Sequence, residues 1–159
     1  MPRYISLLRA INVSGQKKIL MVDLKSLYED LGFTNVQTYI QSGNVVFESN
    51  EENKEELQLL IFNKIKAQYG FDVPNLLLSP REIKEVLTNN PYQSIEKMYF
   101  VFLSEVPSQK NKEELCALTF DNEFYEIKQK VIYFHCPDGY GNAKLNTNFF
   151  EKKLNVIAT

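Results

Sequence analysis

The side chains best suited to bind a ligand fall in two short polar segments of the sequence. One segment follows an aliphatic run near the N-terminus, and the other connects two predicted strands. Cations and amides beside a glycine favour phosphate or carboxylate, because ammonium groups and backbone N–H groups both bind anions. We therefore predict a site for a small anionic ligand, a nucleotide or a phosphate-like group, with the ligand-binding residues Arg9, Asn12, Lys17, Lys18, Gln41, Ser42 and Asn44.

The spacing in the first segment does not match an established phosphate-binding loop. Gly15 lies between Ser14 and Gln16, and neither the glycine–lysine pattern of a P-loop nor the glycine triplet of a dinucleotide-binding turn is present. A polar loop with one glycine also describes an ordinary connection between a strand and a helix, so both interpretations stay open. Arg9 lies within a mostly apolar strand and needs a partner or a route to solvent.

The second segment predicts a hairpin over residues 38–47. In this prediction Gly43 and Asn44 form a two-residue turn of type II′, with a positive φ at Gly43. The register then places Tyr39 opposite Glu48. One face of the hairpin is apolar and predicts a core, consisting of Val36, Thr38, Ile40, Val45 and Phe47, while the other is mixed, consisting of Gln37, Tyr39, Gln41, Val46 and Glu48.

The predicted elements up to residue 90 run strand, helix, strand, strand, helix, strand. This is the order of the ferredoxin-like split βαβ unit, in which both helices cover one face of an antiparallel sheet. The first two strands of that unit are parallel, so the loop after the first and the turn after the second lie at the same end. The fourth strand begins there too, near Asp72 and Asn75, and Pro74 indicates that it is an edge strand.

The remainder of the chain repeats strand, helix, strand, strand, helix, with no further strand visible before Thr159. The sequence therefore predicts an α+β fold, with a ferredoxin-like βαββαβ subdomain at residues 1–90 and a second, related α+β subdomain (βαββα) at residues 91–159. A chain of 159 residues with 9 Tyr and 11 Phe is long enough to bury such a core without a disulfide.

Composition limits the classes of partner. The formal net charge of -2 gives no general electrostatic drive toward nucleic acid or an anionic membrane. No apolar run approaches the roughly 18 residues of a membrane span. The two cysteines, Cys116 and Cys136, indicate reduced thiols, so we expect a cytoplasmic protein with no membrane partner.

Other chemistries find less support in the sequence. His135 is the only histidine and has no matching nucleophile, so no catalytic residue is predicted. Cys136 and Asp138 crowd beside it without a recognised ligand spacing, so no metal and no cofactor are predicted. An RNA- or DNA-binding module remains an alternative, although Tyr39 is the only suitable aromatic and residues 42–47 lack the paired aromatics of an RNA-binding sheet. Dimerisation through a sheet face is a second alternative, and enzyme activity and oligomeric state stay open.

Three segments resemble one bacterial family, the domain of unknown function 1697. They are the run Leu7 to Gly15, the hairpin Thr38 to Phe47 and the stretch Ala143 to Leu154. The resemblance implies a two-part α+β fold and implies no activity, because the family has none assigned. Ala10 and Ser14 stand where members of this family usually have glycine, which weakens the expectation of a tight backbone cradle for an anion.

Overall fold

The computed structural model describes residues 1–92 and 96–159. These residues divide into two compact units, Met1–Glu85 and Val86–Thr159. The strands are β1 Arg3–Leu8, β2 Thr34–Tyr39, β3 Asn44–Glu48, β4 Asn75–Leu78, β5 Met98–Phe102, β6 Phe124–Lys128 and β7 Val131–His135. The α-helices are α1 Met21–Asp30, α2 Lys54–Tyr69, α3 Pro80–Thr88, α4 Gln109–Cys116 and α5 Thr147–Leu154, and one 3₁₀ turn spans Tyr140–Asn142.

The first unit is a four-stranded antiparallel sheet with the order β2-β3-β1-β4. β3 pairs antiparallel with both β1 and β2, so β1 and β2 run in the same direction, as predicted, and β4 lies at an edge. The inward face of β1 carries Tyr4, Ser6 and Leu8, all buried. The buried stripes of α1 and α2 pack with this face in one hydrophobic core, so both helices cover the same side of the sheet.

One polar contact lies inside that core. The Tyr28 hydroxyl donates to Ser6 Oγ over 2.8 Å, and both side chains are fully buried. Burial raises the pKa of Tyr28 well above its ordinary value, so the phenol stays protonated and available as a donor. The hydrogen bond satisfies two groups that would otherwise be costly to bury.

The predicted two-residue turn between β2 and β3 is wrong. Tyr39 pairs with Asn44 rather than with Glu48, so residues 40–43 form a four-residue loop. Ile40 adopts a left-handed φ of 51° and is 57% exposed, and it therefore leaves the predicted core face. The positive φ predicted for Gly43 is confirmed, at 85°.

Side-chain caps fix the boundaries of the helices. Asn53 accepts from two backbone N–H groups at the start of α2, and Gly70 ends this helix in the left-handed conformation. Ser79 and Glu82 bond reciprocally at the start of α3, which is the arrangement of a capping box.

The second unit has a three-stranded antiparallel sheet with the order β5-β7-β6. Its main core contains Phe134, Leu115 and Phe150, from β7, α4 and α5. The sequence predicted no strand after α5, but Thr159 exchanges two backbone hydrogen bonds with Phe102, and Ala158 forms a bridge with Leu103. The chain thus returns beside β5, as β4 lies beside β1 in the first unit. Within the described part of the chain, no helix is long and apolar enough to cross a membrane.

Candidate functional site

Three segments of the first unit meet at one end of its sheet. The N–H of Leu8 donates to the Gly43 carbonyl at 3.0 Å, and the N–H of Arg9 donates to the Pro74 carbonyl at 2.8 Å. These bonds join the end of β1 to the loop after β2 and to the residues before β4. The convergence expected from parallel β1 and β2 is therefore present.

Asn12 joins the loop after β1 to the loop after β2. Its Nδ2 donates to the carbonyls of Ile19 and Gln41, each at 2.9 Å, and its Oδ1 accepts from the Ile19 N–H at 2.9 Å. All the polar atoms of this side chain are therefore engaged with backbone. We predicted Asn12 as a ligand-binding residue; the structure shows that its side chain fixes the two loops in position.

The loop after β1 is held in an unusual backbone conformation. Positive φ angles occur at Ala10 (57°), Asn12 (53°), Ser14 (50°), Gly15 (73°) and Lys17 (45°). Left-handed residues that alternate with ordinary ones turn backbone N–H groups toward a common concavity, which is an arrangement that binds anions. Left-handed φ is unfavourable for residues other than glycine, and such strain concentrates at functional sites.

Ala10→Gly should stabilise the protein by about 0.5–1 kcal/mol, because glycine adopts φ 57° without the Cβ penalty but gains freedom in the unfolded chain. Chemical denaturation of the two proteins measures the difference. Ala67→Gly, in the last turn of α2, is the matched control and should destabilise by up to about 1 kcal/mol, because alanine is favoured there over glycine. Destabilisation by both changes would show that Ala10 is not strained.

The two adjacent lysines point to different places. Lys17 Nζ donates to the Asp72 carbonyl at 2.7 Å, which ties this side chain to the residues before β4. Lys18 instead lines a cavity of about 300 Å³. The cavity lies at the end of the sheet where the loops meet, and its lining residues are Asn12, Gly15, Lys18, Ile19, Leu20, Asp23, Gln41 and Tyr69.

The cavity combines one cation, one carboxylate and neutral polar groups. Lys18 supplies an ammonium and Asp23 a carboxylate, while Gln41 supplies a primary amide. An anionic group on a ligand can pair with Lys18, and a hydroxyl or amine on the same ligand can donate to Asp23. The lining therefore suits a small molecule that carries both an acid and a hydrogen-bond donor.

Tyr69 places a hydroxyl beside this cavity that forms no hydrogen bond of normal geometry with the described residues, although the atom is buried. Burial raises the pKa of Tyr69, and the Asp23 carboxylate raises it further, so the group remains a protonated donor. An unsatisfied buried hydroxyl costs about 1–3 kcal/mol. A ligand acceptor that reached the hydroxyl would remove that cost.

Four predicted site residues do not line the cavity: Lys17, described above, and Arg9, Ser42 and Asn44. Asn44 Nδ2 donates to Ser42 Oγ at 3.2 Å on the exposed side of the hairpin. We had placed Arg9 within the first strand, but β1 ends at Leu8, and Arg9 is the residue that follows it. Arg9, Ser42 and Asn44 belong to the loops at this end of the sheet, but they are not among the residues that line the cavity.

Tyr69 and Asp23 were not among the site residues predicted from the sequence. Tyr69 continues the buried series Leu57, Ile61 and Ile65 of α2 at intervals of four residues, so the helical period was a signal that it faces inward. Asp23 lies in the first turn of α1, one residue before the buried Leu24, at the margin of the apolar stripe. No pattern in the sequence distinguishes it from an ordinary acidic residue at a helix start.

The fold and the site define an α+β protein built from two sheets, with a small polar cavity where three loop segments meet. The chain belongs to the family described as protein of unknown function (DUF1697), whose model matches residues 1–133. A search of curated proteins found no match. Among solved structures, the chain is similar to the conserved bacterial protein SP0830 from Streptococcus pneumoniae, with 22% identity, a TM-score of 0.71, and coverage of 100% of this chain and 92% of that one. This likeness shows that the two proteins share a fold.

Proposed function

We propose that the protein is a cytosolic binding protein for a small anionic ligand, a nucleotide fragment or a phosphate-like compound, held in the cavity beside Lys18. The observation that carries the proposal is the buried hydroxyl of Tyr69, a residue that lines a cavity together with the ammonium group of Lys18. This hydroxyl forms no hydrogen bond of normal geometry with the described residues. A hydroxyl donor and a cation on two residues that line the same cavity favour an acceptor with negative charge.

The size of the cavity narrows the ligand class. About 300 Å³ is at the lower end of the range for small-molecule sites, so a sugar phosphate or a mononucleotide fragment fits better than a dinucleotide. Asp23 adds a requirement for a hydrogen-bond donor, such as a ribose hydroxyl, because a ligand that offers only anionic oxygens would be repelled by the carboxylate.

A thermal-shift screen tests the proposal with inorganic phosphate, ribose phosphate and AMP as probes. At least one probe should raise the unfolding temperature, since a ligand that binds only the folded state stabilises it. Lys18→Gln should weaken binding of that probe by about tenfold to a hundredfold, because a charge-assisted hydrogen bond contributes about 1.5–3 kcal/mol. Isothermal titration then measures the affinity directly.

Lys17→Gln is the matched control, because its ammonium group is bonded to the Asp72 carbonyl and does not line the cavity. This variant should keep most of the affinity. Tyr69→Phe should stabilise the free protein, because it removes the unsatisfied buried hydroxyl, while it reduces ligand binding. Equal losses for the two lysine variants, or no stabilisation by any of the three probes, would contradict the proposed site.

The alternative of an RNA-binding sheet has less support. Such sheets stack bases on exposed aromatic residues of the two central strands. The aromatic residues of β1 and β3, Tyr4 and Phe47, are both buried in the core. Tyr39 is 69% exposed but lies on the outer strand β2, so a stacking platform of two aromatics is absent from the described strands of the first unit.

A further inference from the structure

β6 is an edge strand whose outward backbone groups can be identified. It pairs with β7 on one side, and among the described residues no strand lies on its other side. Lys128 pairs with Val131 across the two-residue turn, which makes them a hydrogen-bonded pair. Hydrogen-bonded pairs alternate with non-bonded pairs, so the N–H and C=O groups of Tyr125 and Ile127 point away from β7.

The same alternation can be checked on β5. The register of β5 with β7 makes Phe102 and Val131 a non-bonded pair, so the backbone of Phe102 must point away from β7. Phe102 indeed exchanges hydrogen bonds of 2.7 and 3.0 Å with Thr159 on that outer side. The outward direction of Tyr125 and Ile127 follows from the same rule.

A groove of about 660 Å³ lies along this edge, between β6 and α4. Tyr125 and Ile127 pack on the main core of the second unit, and their side chains line the groove together with Leu118 and Phe120. Cys116 contributes from the end of α4. A strand edge beside a helix, with apolar side chains in between, is the arrangement that accepts an added strand in peptide-binding modules.

We propose that an extended segment of a partner protein adds to the β6 edge, with apolar side chains at alternate positions in the groove and a basic residue opposite Glu126. Tyr125 and Ile127 would provide four backbone hydrogen-bonding groups to this segment. Because strand side chains alternate between faces, every second residue of the partner faces α4.

Charge identifies the partner as a basic segment and disfavours a second copy of this chain. Among the described residues, the groove is lined by Glu113, Glu123 and Glu126 and by one basic residue, Lys112. Lys128 lies 3.8 Å from Glu126, but both side chains are exposed, and such a pair contributes little, so Glu126 can pair with a partner instead. Two antiparallel copies of β6 keep the outward groups of Tyr125 and Ile127 paired within the strands only when Tyr125 lies opposite Ile127, and each Glu126 then faces its own counterpart. Like charges directly opposite on neighbouring strands are destabilising, whereas a lysine or arginine opposite Glu126 is favourable.

The test uses an acetylated and amidated heptapeptide of alternating valine and lysine, titrated into the whole ¹⁵N-labelled chain. Binding should be saturable at concentrations up to about 1 mM and should slow hydrogen exchange of the Tyr125 and Ile127 amides. A valine–glutamate heptapeptide is the control and should bind more weakly. Shifts confined to other residues, or no saturable binding of the lysine peptide, would overturn the proposal.

Two variants separate strand addition from general attraction to basic peptides. Glu126→Lys should weaken binding of the lysine peptide about threefold to tenfold and improve binding of the glutamate peptide. Ile127→Pro removes an outward N–H without removing a hydrogen bond to β7. It should weaken the binding of both peptides about threefold or more. If this variant fails to fold, the reversal of preference in Glu126→Lys still decides the question. Concentration-dependent self-association that protects the same amides would assign the edge to a second copy and overturn the proposed partner.

Discussion

Gly43→Ala should lower the free energy of unfolding by about 2–5 kcal/mol. A Cβ at this position would lie 2.5 Å from Ile11 Cδ1 and 3.0 Å from Leu8 Cβ, and φ is +85°. The left-handed conformation costs a residue with a Cβ about 1–2 kcal/mol, and overpacking of a filled core costs about 1–3 kcal/mol. Ile11 is buried, and the Leu8 N–H is bonded to the Gly43 carbonyl, so the clash cannot be relieved by moving one exposed side chain. Urea-induced unfolding measures the loss.

Gly15→Ala is the matched control for this prediction. Its φ is +73°, so the backbone penalty is similar, but nothing lies within 4 Å of the position that a Cβ would occupy. The expected cost is therefore about 1–2 kcal/mol, from backbone strain alone. Equal costs for the two changes would mean that Ile11 and Leu8 yield easily and that the contact around Gly43 is not tight.

Turn chemistry explains what could be predicted about the hairpin and what could not. Glycine at position 43 predicted a positive φ correctly, because few other residues tolerate it. The length of the loop was not predictable, because Ile40 adopts a left-handed φ of 51°, which is rare for a β-branched residue. The resulting shift of four residues is even, so it preserves the alternation of faces, and Val36, Val45 and Phe47 remain buried as predicted.

The location of the candidate site followed from topology, while its chemistry did not. Parallel β1 and β2 require the loops that follow them to lie at the same end of the sheet, and the order of the elements alone predicts this. Which of two adjacent lysines enters the cavity depends on side-chain direction, which is set by the left-handed φ of 45° at Lys17 and its bond to the Asp72 carbonyl. Neither the left-handed φ of Lys17 nor its hydrogen bond to the Asp72 carbonyl has a signature in the sequence. Tyr69 was predictable in part, because the four-residue series of α2 extends to it.

Asn12→Ala should destabilise the protein by about 3–5 kcal/mol, as measured by urea-induced unfolding. The change removes three hydrogen bonds of 2.9 Å that join the loop after β1 to Ile19 and to Gln41, each with a net contribution of about 0.5–1.5 kcal/mol. It also places alanine at a φ of 53°, a conformation that alanine adopts at a higher cost than asparagine, for a further loss of about 1 kcal/mol.

Two further substitutions at Asn12 separate the backbone contribution from the hydrogen bonds. Asn12→Gly loses the same three bonds but tolerates the positive φ, so it should be about 1 kcal/mol less destabilising than Asn12→Ala. Asn12→Asp keeps the acceptor for the Ile19 N–H but loses both donations and turns a carboxylate oxygen toward two carbonyls. Asn12→Asp should therefore destabilise the protein, although aspartate has nearly the same shape as asparagine.

Because Asn12 and Gln41 both line the cavity, each Asn12 variant should also weaken the binding of any ligand that stabilises the wild-type protein. If Asn12→Ala unfolds within about 1 kcal/mol of wild type, then water replaces the lost bonds and Asn12 does not fix the loops.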